Sequence, residues 1–124
     1  MAQSRILIVE DDPDQSALLD RFLSQWGYET KVAPDGPEGL ELMESFDPDL
    51  VLLDIFLPEL PGLEVLKRIR AHDKSVSVPV FIMSADDSDE IRIVGMSTGA
   101  SDFIKKPIQL ADLSMRIQQA LELL

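Results

Sequence analysis

Two periodicities alternate along this chain of 124 residues. Short apolar runs of strand length, at Ile6–Val9, Leu50–Leu53 and Val78–Met83, are separated by longer stretches whose apolar residues recur at helical spacing. The three runs are nearly continuous in hydrophobicity. That suits strands covered on both faces, and therefore a parallel sheet. Tyr28–Val32 and Asp102–Ile104 are weaker runs of similar length and predict strands at or near the edges of the sheet.

Five helices fill the intervals. Pro13–Trp26 places Leu18, Leu19, Phe22 and Leu23 on one side and stops at Gly27, while Pro37–Phe46 carries Leu40, Leu42 and Met43 and is closed by Asp47-Pro48. Leu60–His72 offers Leu63, Val65, Leu66 and Ile69. Asp87–Thr98 is less regular and ends at Gly99, a C′ glycine that closes the helix. Leu110–Leu124 repeats apolar residues at Leu110, Leu113, Ile117, Leu121 and Leu124, one clean stripe. The order is strand–helix five times over, with short connections. Right-handed crossovers then give a doubly wound α/β sheet of five parallel strands with helices on both faces. No linker or repeat interrupts the pattern, so residues 1–124 are expected to form one domain. In such a sheet ligands bind beyond the carboxyl ends of the strands, near the switch point.

Composition narrows the function. The chain is 45% hydrophobic and 27% charged, the balance of a globular protein. No apolar stretch approaches the roughly 20 residues that span a bilayer, and the start lacks the basic and apolar regions of a secretory signal. There is no cysteine, which excludes disulfides, thiolate metal sites and cysteine nucleophiles. A cytoplasmic protein is expected. The net charge of −12 repels phosphate backbones and anionic membranes, so neither nucleic acid nor membrane is expected as a direct partner.

Where the acids sit says more than their number. The first run leads straight into Glu10, Asp11 and Asp12, the run at Leu50–Leu53 into Asp54, the next into Ser84, and the last into Lys105 and Lys106 before Pro107. A parallel sheet gathers all these ends at one edge. Carboxylates crowded in this way call for a hard divalent cation, and Mg²⁺ takes a few carboxylates, waters and often a phosphate oxygen. A lysine and a serine beside them supply positive charge and a donor for a dianionic group. An aspartate in that setting can act as a nucleophile toward phosphorus.

The four blocks "ILIVEDD", "DLVLLDIFLPELPG", "PVFIMSA" and "GASDFIKKP" together resemble the receiver domain of two-component response regulators (the CheY-like family), in order and spacing, over essentially the whole chain. The resemblance implies a flavodoxin-like (βα)5 fold with strand order 2-1-3-4-5. It implies that Asp54 accepts a phosphoryl group from a phosphohistidine on a sensor histidine kinase or phosphotransfer protein. Glu10, Asp11, Asp54 and the backbone carbonyl of Phe56 would hold Mg²⁺. Lys106 would pair with the phosphoryl oxygens, its bond to Pro107 being cis. Ser84 would donate its hydroxyl, Phe103 would be the aromatic switch, and Phe56 and Asp86 would tune dephosphorylation. The domain would catalyse its own phosphorylation and dephosphorylation without being an enzyme in the ordinary sense. A downstream protein or output domain would be met through the fourth helix, fifth strand and fifth helix, by a monomer or a phosphorylation-dependent dimer. Three positions depart from the family's commoner residues: Ser84 where threonine is usual, Phe103 where tyrosine is frequent, and Pro61 where an acid usually precedes the glycine. None removes a reacting group.

Blander roles compete for several of these residues. Asp12 fits an N-cap, because Pro13 follows at the first helical position and Gln15 falls where a capping box wants Glu or Gln. Asp14 then lies in the first turn, favoured by the helix dipole. Lys105 reads as a solvated neighbour of Lys106, and Ser84 alone would read as a turn cap. Trp26 reads as packing, His72 as a surface residue at a helix end, and residues 86–90 as the acidic start of the fourth helix. Three rival functions use similar parts. A haloacid-dehalogenase-type phosphatase would use Asp12 of Asp12-Pro13-Asp14 with Mg²⁺ but leaves Asp54 unexplained. A flavin module would need a hydroxyl- and glycine-rich loop where this chain has acids. A pseudo-receiver would keep the fold as an interaction module without phosphorylation.

Overall fold

The apolar runs pair side by side, all parallel, in the order β2-β1-β3-β4-β5. A computed structural model describes residues 3–122. Along the chain these are β1 (Arg5–Val9), α1 (Pro13–Gln25), β2 (Glu29–Ala33), α2 (Gly36–Ser45), β3 (Leu50–Asp54), α3 (Gly62–Ala71), β4 (Val80–Ser84), α4 (Asp89–Thr98), β5 (Asp102–Lys105) and α5 (Leu110–Glu122). The expected five-fold alternation and flavodoxin-like order are both present.

Strand alternation divides the core into two layers. Ile6, Ile8, Leu50, Leu52, Phe81, Met83 and Ile104 face α1 and α5, meeting Leu19, Leu23, Leu113 and Ile117. Leu7, Val9, Val51, Leu53, Val80, Ile82 and Phe103 face the other way, against Met43, Val65, Leu66 and Ile69 of α2 and α3 and the partly buried Ile91 of α4. Every residue of β3 and β4 is buried. That explains why these strands read as continuous apolar runs, whereas edge strand β2 keeps an exposed Lys31.

Several boundaries differ from the sequence expectation for local reasons. The run from Val78 becomes a strand only at Val80, because Pro79 lends its carbonyl to the Val51 N–H at 2.9 Å but has no N–H of its own. Helix α3 starts at Gly62 instead of Leu60: Glu59 is in the left-handed region (φ 64°) and Pro61 is the extended N-cap, so Leu60 packs on the core from a turn. Helix α4 starts at Asp89, after Ser88, whose hydroxyl accepts from the Ile91 N–H at 3.3 Å. Gly99 closes it with φ 120°. Leu124, the last residue of the expected stripe, lies outside the described residues.

Two glycines set how closely helices approach the sheet. A Cβ on Gly62 would collide with the Asp54 carbonyl and the Ile55 backbone, so the start of α3 is pressed against the end of β3. A Cβ on Gly95 would meet only the terminal methyl of Ile82, placing the middle of α4 directly on β4.

Candidate functional site

The ladder continues one residue past β1, β3 and β5: Glu10 N–H donates to the Ala33 carbonyl at 3.0 Å, Ile55 N–H to Met83 at 3.1 Å, and Lys106 N–H to Ser84 at 2.8 Å. Alternation therefore carries through the strand ends. Glu10 follows Ile6 and Ile8, Asp54 follows Leu50 and Leu52, and Lys106 follows Ile104, all on the α1/α5 side. Ser84 follows Val80 and Ile82 on the opposite side, the side of Phe103. The site straddles the carboxyl edge of the sheet.

Glu10 and Asp54 are almost fully buried, at 1% and 5% exposure. Lys106 stands between them, its Nζ 2.7 Å from Glu10 Oε1 and 3.1 Å from Asp54 Oδ2. One carboxylate oxygen from each of Glu10, Asp11 and Asp54 lies within 4.8 Å of the others. Asp11 is the exposed member of the three. Asp54 Oδ1 accepts from the Phe56 N–H at 3.1 Å, which fixes the carboxylate plane, while the Phe56 ring is 58% exposed.

The charges explain one another. Burial is the largest influence on Glu10 and, with the Asp54 carboxylate beside it, pushes its pKa from an ordinary 4.5 to about 7 against the pull of Lys106. Burial works against the Lys106 ammonium, but its contacts with Glu10 and Asp54 outweigh this and hold its pKa above the ordinary value. Two carboxylates and one ammonium leave the buried centre short of positive charge. Glu10 Oε2 is buried without a hydrogen-bond partner, an arrangement that costs on the order of 1–3 kcal/mol or more for a charged group. An orphaned buried oxygen next to two further carboxylates is the donor set of a hard divalent cation, so the residues fit Mg²⁺.

Some of the other residues singled out in the sequence lie at this edge of the sheet, and others lie away from it. Ser84 is buried at the end of β4, and its Oγ accepts from the Asp86 N–H at 3.0 Å, so it caps the turn that follows the strand. Asp86 Oδ1 accepts from the Ser88 N–H at 3.0 Å, ahead of α4. The Lys106-Pro107 bond is cis. Asp12 caps α1, its Oδ1 accepting from the Asp14 and Gln15 N–H groups at 2.9 and 3.5 Å, and Pro13 occupies the first turn. Trp26 packs beside the α1/α5 layer, and His72 ends α3 at the surface, 3.7 Å from Glu44.

Two contacts escaped the sequence. Lys105 is exposed but paired, its Nζ 3.0 Å from Asp87 Oδ2, and so is more than a solvated neighbour. The guanidinium of Arg92 lies over the Phe103 ring, 4.5 Å from its centroid. Each joins α4 or the loop before it to β5. Neither leaves a periodic or motif signal, because the partners are 18 and 11 positions apart on separate elements.

Fold and cleft together define a flavodoxin-like α/β protein with an acid–lysine–hydroxyl centre at its switch point. The chain belongs to the response regulator receiver domain family, whose family model matches residues 6–118. It is 41% identical over 115 residues to the transcriptional regulatory protein YcbL of Bacillus subtilis, covering 93% of this chain and 50% of that protein. Among solved structures it resembles the chemotaxis protein CheY4 of Vibrio cholerae, with a TM-score of 0.92 and 26% identity, covering 97% of this chain and 100% of the other. It also resembles the receiver domain of the sensor histidine kinase PA1611 from Pseudomonas aeruginosa, described with a magnesium ion coordinated in its active-site cleft: TM-score 0.90, 28% identity, 98% of this chain and 99% of the other. The chain spans about half the length of the curated relatives it matches. Among the described residues no helix is long and apolar enough to cross a membrane.

Proposed function

We propose that residues 1–124 form one receiver domain whose Asp54 accepts a phosphoryl group from a phosphohistidine on a sensor histidine kinase or phosphotransfer protein. The observation that carries this reading is the Asp54 carboxylate, nearly buried at a strand end, held 3.1 Å from Lys106 and within 4.8 Å of Glu10 and Asp11. An Asp54 oxygen forms the new O–P bond while the P–N bond to the imidazole breaks, the ring nitrogen keeping the electron pair. Lys106 moves its charge from Glu10 toward the phosphoryl oxygens, and the Ser84 hydroxyl donates to one of them. A Mg²⁺ held by Glu10, Asp11, Asp54 and, on the family pattern, the Phe56 carbonyl would neutralise the charge that gathers on the phosphoryl group. Water, admitted past the exposed Phe56 and Asp86, later hydrolyses the acyl phosphate, so these two side chains tune its lifetime.

Drawing Ser84 and Lys106 toward the phosphoryl group repacks Phe103 and shifts α4, β5 and α5. That face already exposes Ile93 and Met96 on α4 and Met115 on α5, apolar groups suited to a protein partner. The output is a downstream protein or a further segment of the same polypeptide, met by a monomer or a phosphorylation-dependent dimer in the cytoplasm. The phosphatase alternative is disfavoured, because the Asp12 carboxylate caps α1 and stands outside the Glu10–Asp11–Asp54 group.

Acetyl phosphate with Mg²⁺ is expected to label the chain at Asp54, and Asp54→Asn to abolish the label. Lys106→Ala is expected to bind Mg²⁺ within a few-fold of wild type in calorimetry yet lose the structural response to beryllofluoride. Labelling at Asp12, or undiminished labelling of Asp54→Asn, would refute the assignment.

A further inference from the structure

Phe103 is 5% exposed although it sits on edge strand β5, and no hydroxyl is present to tether its ring. Its ring belongs to the α2–α4 core layer, and over it lies Arg92, whose guanidinium is 4.5 Å from the ring centroid. Among the described residues Arg92 has no carboxylate within salt-bridge distance, unlike the nearby Lys105 and Arg116, which pair with Asp87 and with Asp102 and Asp112. Asp87 lies near enough to feel its charge but pairs with Lys105, so the ring face is the contact that Arg92 itself makes. The backbone supports the same geometry. Gly95 lets α4 lie directly on Ile82, and Ile82 is the register partner of Phe103, so Arg92, one turn before Gly95, is held over the ring. Ser84 lies on the same face of the sheet, two residues beyond Ile82.

We propose that Arg92 is a positioning residue for the switch, closing over Phe103 and holding its ring in the buried position. The inference rests on the reading that Ser84 moves toward a phosphoryl group on Asp54. That movement vacates space on the Phe103 side of β4, and a ring held inward fills it. Arg92 therefore favours the state in which Ser84 is engaged, by the weight of one cation–π contact, roughly two- to fivefold in an equilibrium. A tyrosine could use its hydroxyl as a tether; here the cation substitutes for it, which fits the departure to phenylalanine at this position.

The test uses Arg92→Met, which keeps an apolar stem without charge, in protein carrying 4-fluorophenylalanine. The position-103 fluorine signal is assigned by its loss in Phe103→Leu. Arg92→Met is expected to shift that signal toward its solvent-exposed value and to weaken beryllofluoride binding in the presence of Mg²⁺ about two- to fivefold. Arg92→Lys should recover part of both effects. In the Phe103→Leu background Arg92→Met should have no further effect. An unchanged fluorine signal with unchanged affinity overturns the proposal, and so does an affinity loss that persists undiminished in Phe103→Leu. If the wild-type chain takes up no beryllofluoride, the phosphoacceptor reading fails instead, and the fluorine shift alone still decides whether Arg92 holds the ring.

Discussion

Glu10 carries the most exposed cost of any residue in the cleft, although it is itself buried. One of its oxygens is held by Lys106 at 2.7 Å and the other has no partner. With its pKa raised to about 7, it takes up a proton in the folded chain at a pH where the unfolded chain has released it. The folded state thus binds more protons between about pH 4.5 and 7, and its contribution to stability falls as pH rises through that window. Metal-free wild type is expected to lose on the order of 1–3 kcal/mol over this range relative to Glu10→Gln. Urea midpoints followed by Trp26 fluorescence, with a chelator present, measure the difference. Adding Mg²⁺ should flatten the wild-type curve and leave Glu10→Gln unmoved. The identity of these residues was legible in the sequence because each stands directly after an apolar run. Their contacts were less so: that Lys106 leans more closely on Glu10 than on Asp54 depends on side chains 96 and 52 positions apart.

Helix approach is set by single atoms. Gly62 and Gly95 both sit where a Cβ would clash, yet the obstacles differ in kind. At Gly62 the obstacle is the backbone of Asp54 and Ile55, which cannot move without displacing the end of β3. At Gly95 it is the free end of Ile82, which can rotate, and alanine brings a helix-propensity gain of about 1 kcal/mol. Gly62→Ala is therefore expected to destabilise by about 3 kcal/mol and to slow labelling of Asp54, whereas Gly95→Ala should stay within about 1 kcal/mol of wild type. Denaturation midpoints and acetyl phosphate labelling rates separate the two. Element existence and order followed from the apolar pattern, but some boundaries did not. Leu60 and Val78 are apolar because they pack from a turn and an approach segment, and hydrophobicity cannot distinguish these from a first helical or strand residue. Glu59, with φ 64°, and Pro79, without an N–H, mark where the regular elements actually begin.

At the scale of the whole molecule, one sheet serves two cores, one against α1 and α5, the other against α2, α3 and α4. Because the same five strands bound both layers, neither can melt while the other stays formed. Urea unfolding is expected to be a single transition with a slope of about 1–2 kcal/mol per M, the same by far-UV circular dichroism and by Trp26 fluorescence. Separate midpoints would mean that the α2–α4 layer opens independently, since Trp26 reports only the other one. The strand parity that makes these layers also sorts the cleft. On the proposed reading Glu10, Asp54 and Lys106, which would handle the phosphoryl group, emerge on the α1/α5 side, while Ser84, whose hydroxyl would reach that group, and Phe103, which would follow Ser84, emerge on the other. A substitution that repacks this second layer and spares Ser84 therefore need not touch an atom that would react. Over evolutionary time the chemistry can stay frozen while the readout drifts toward new partners, and in the laboratory the α4 side can be rewritten as an interchangeable output for an unaltered input.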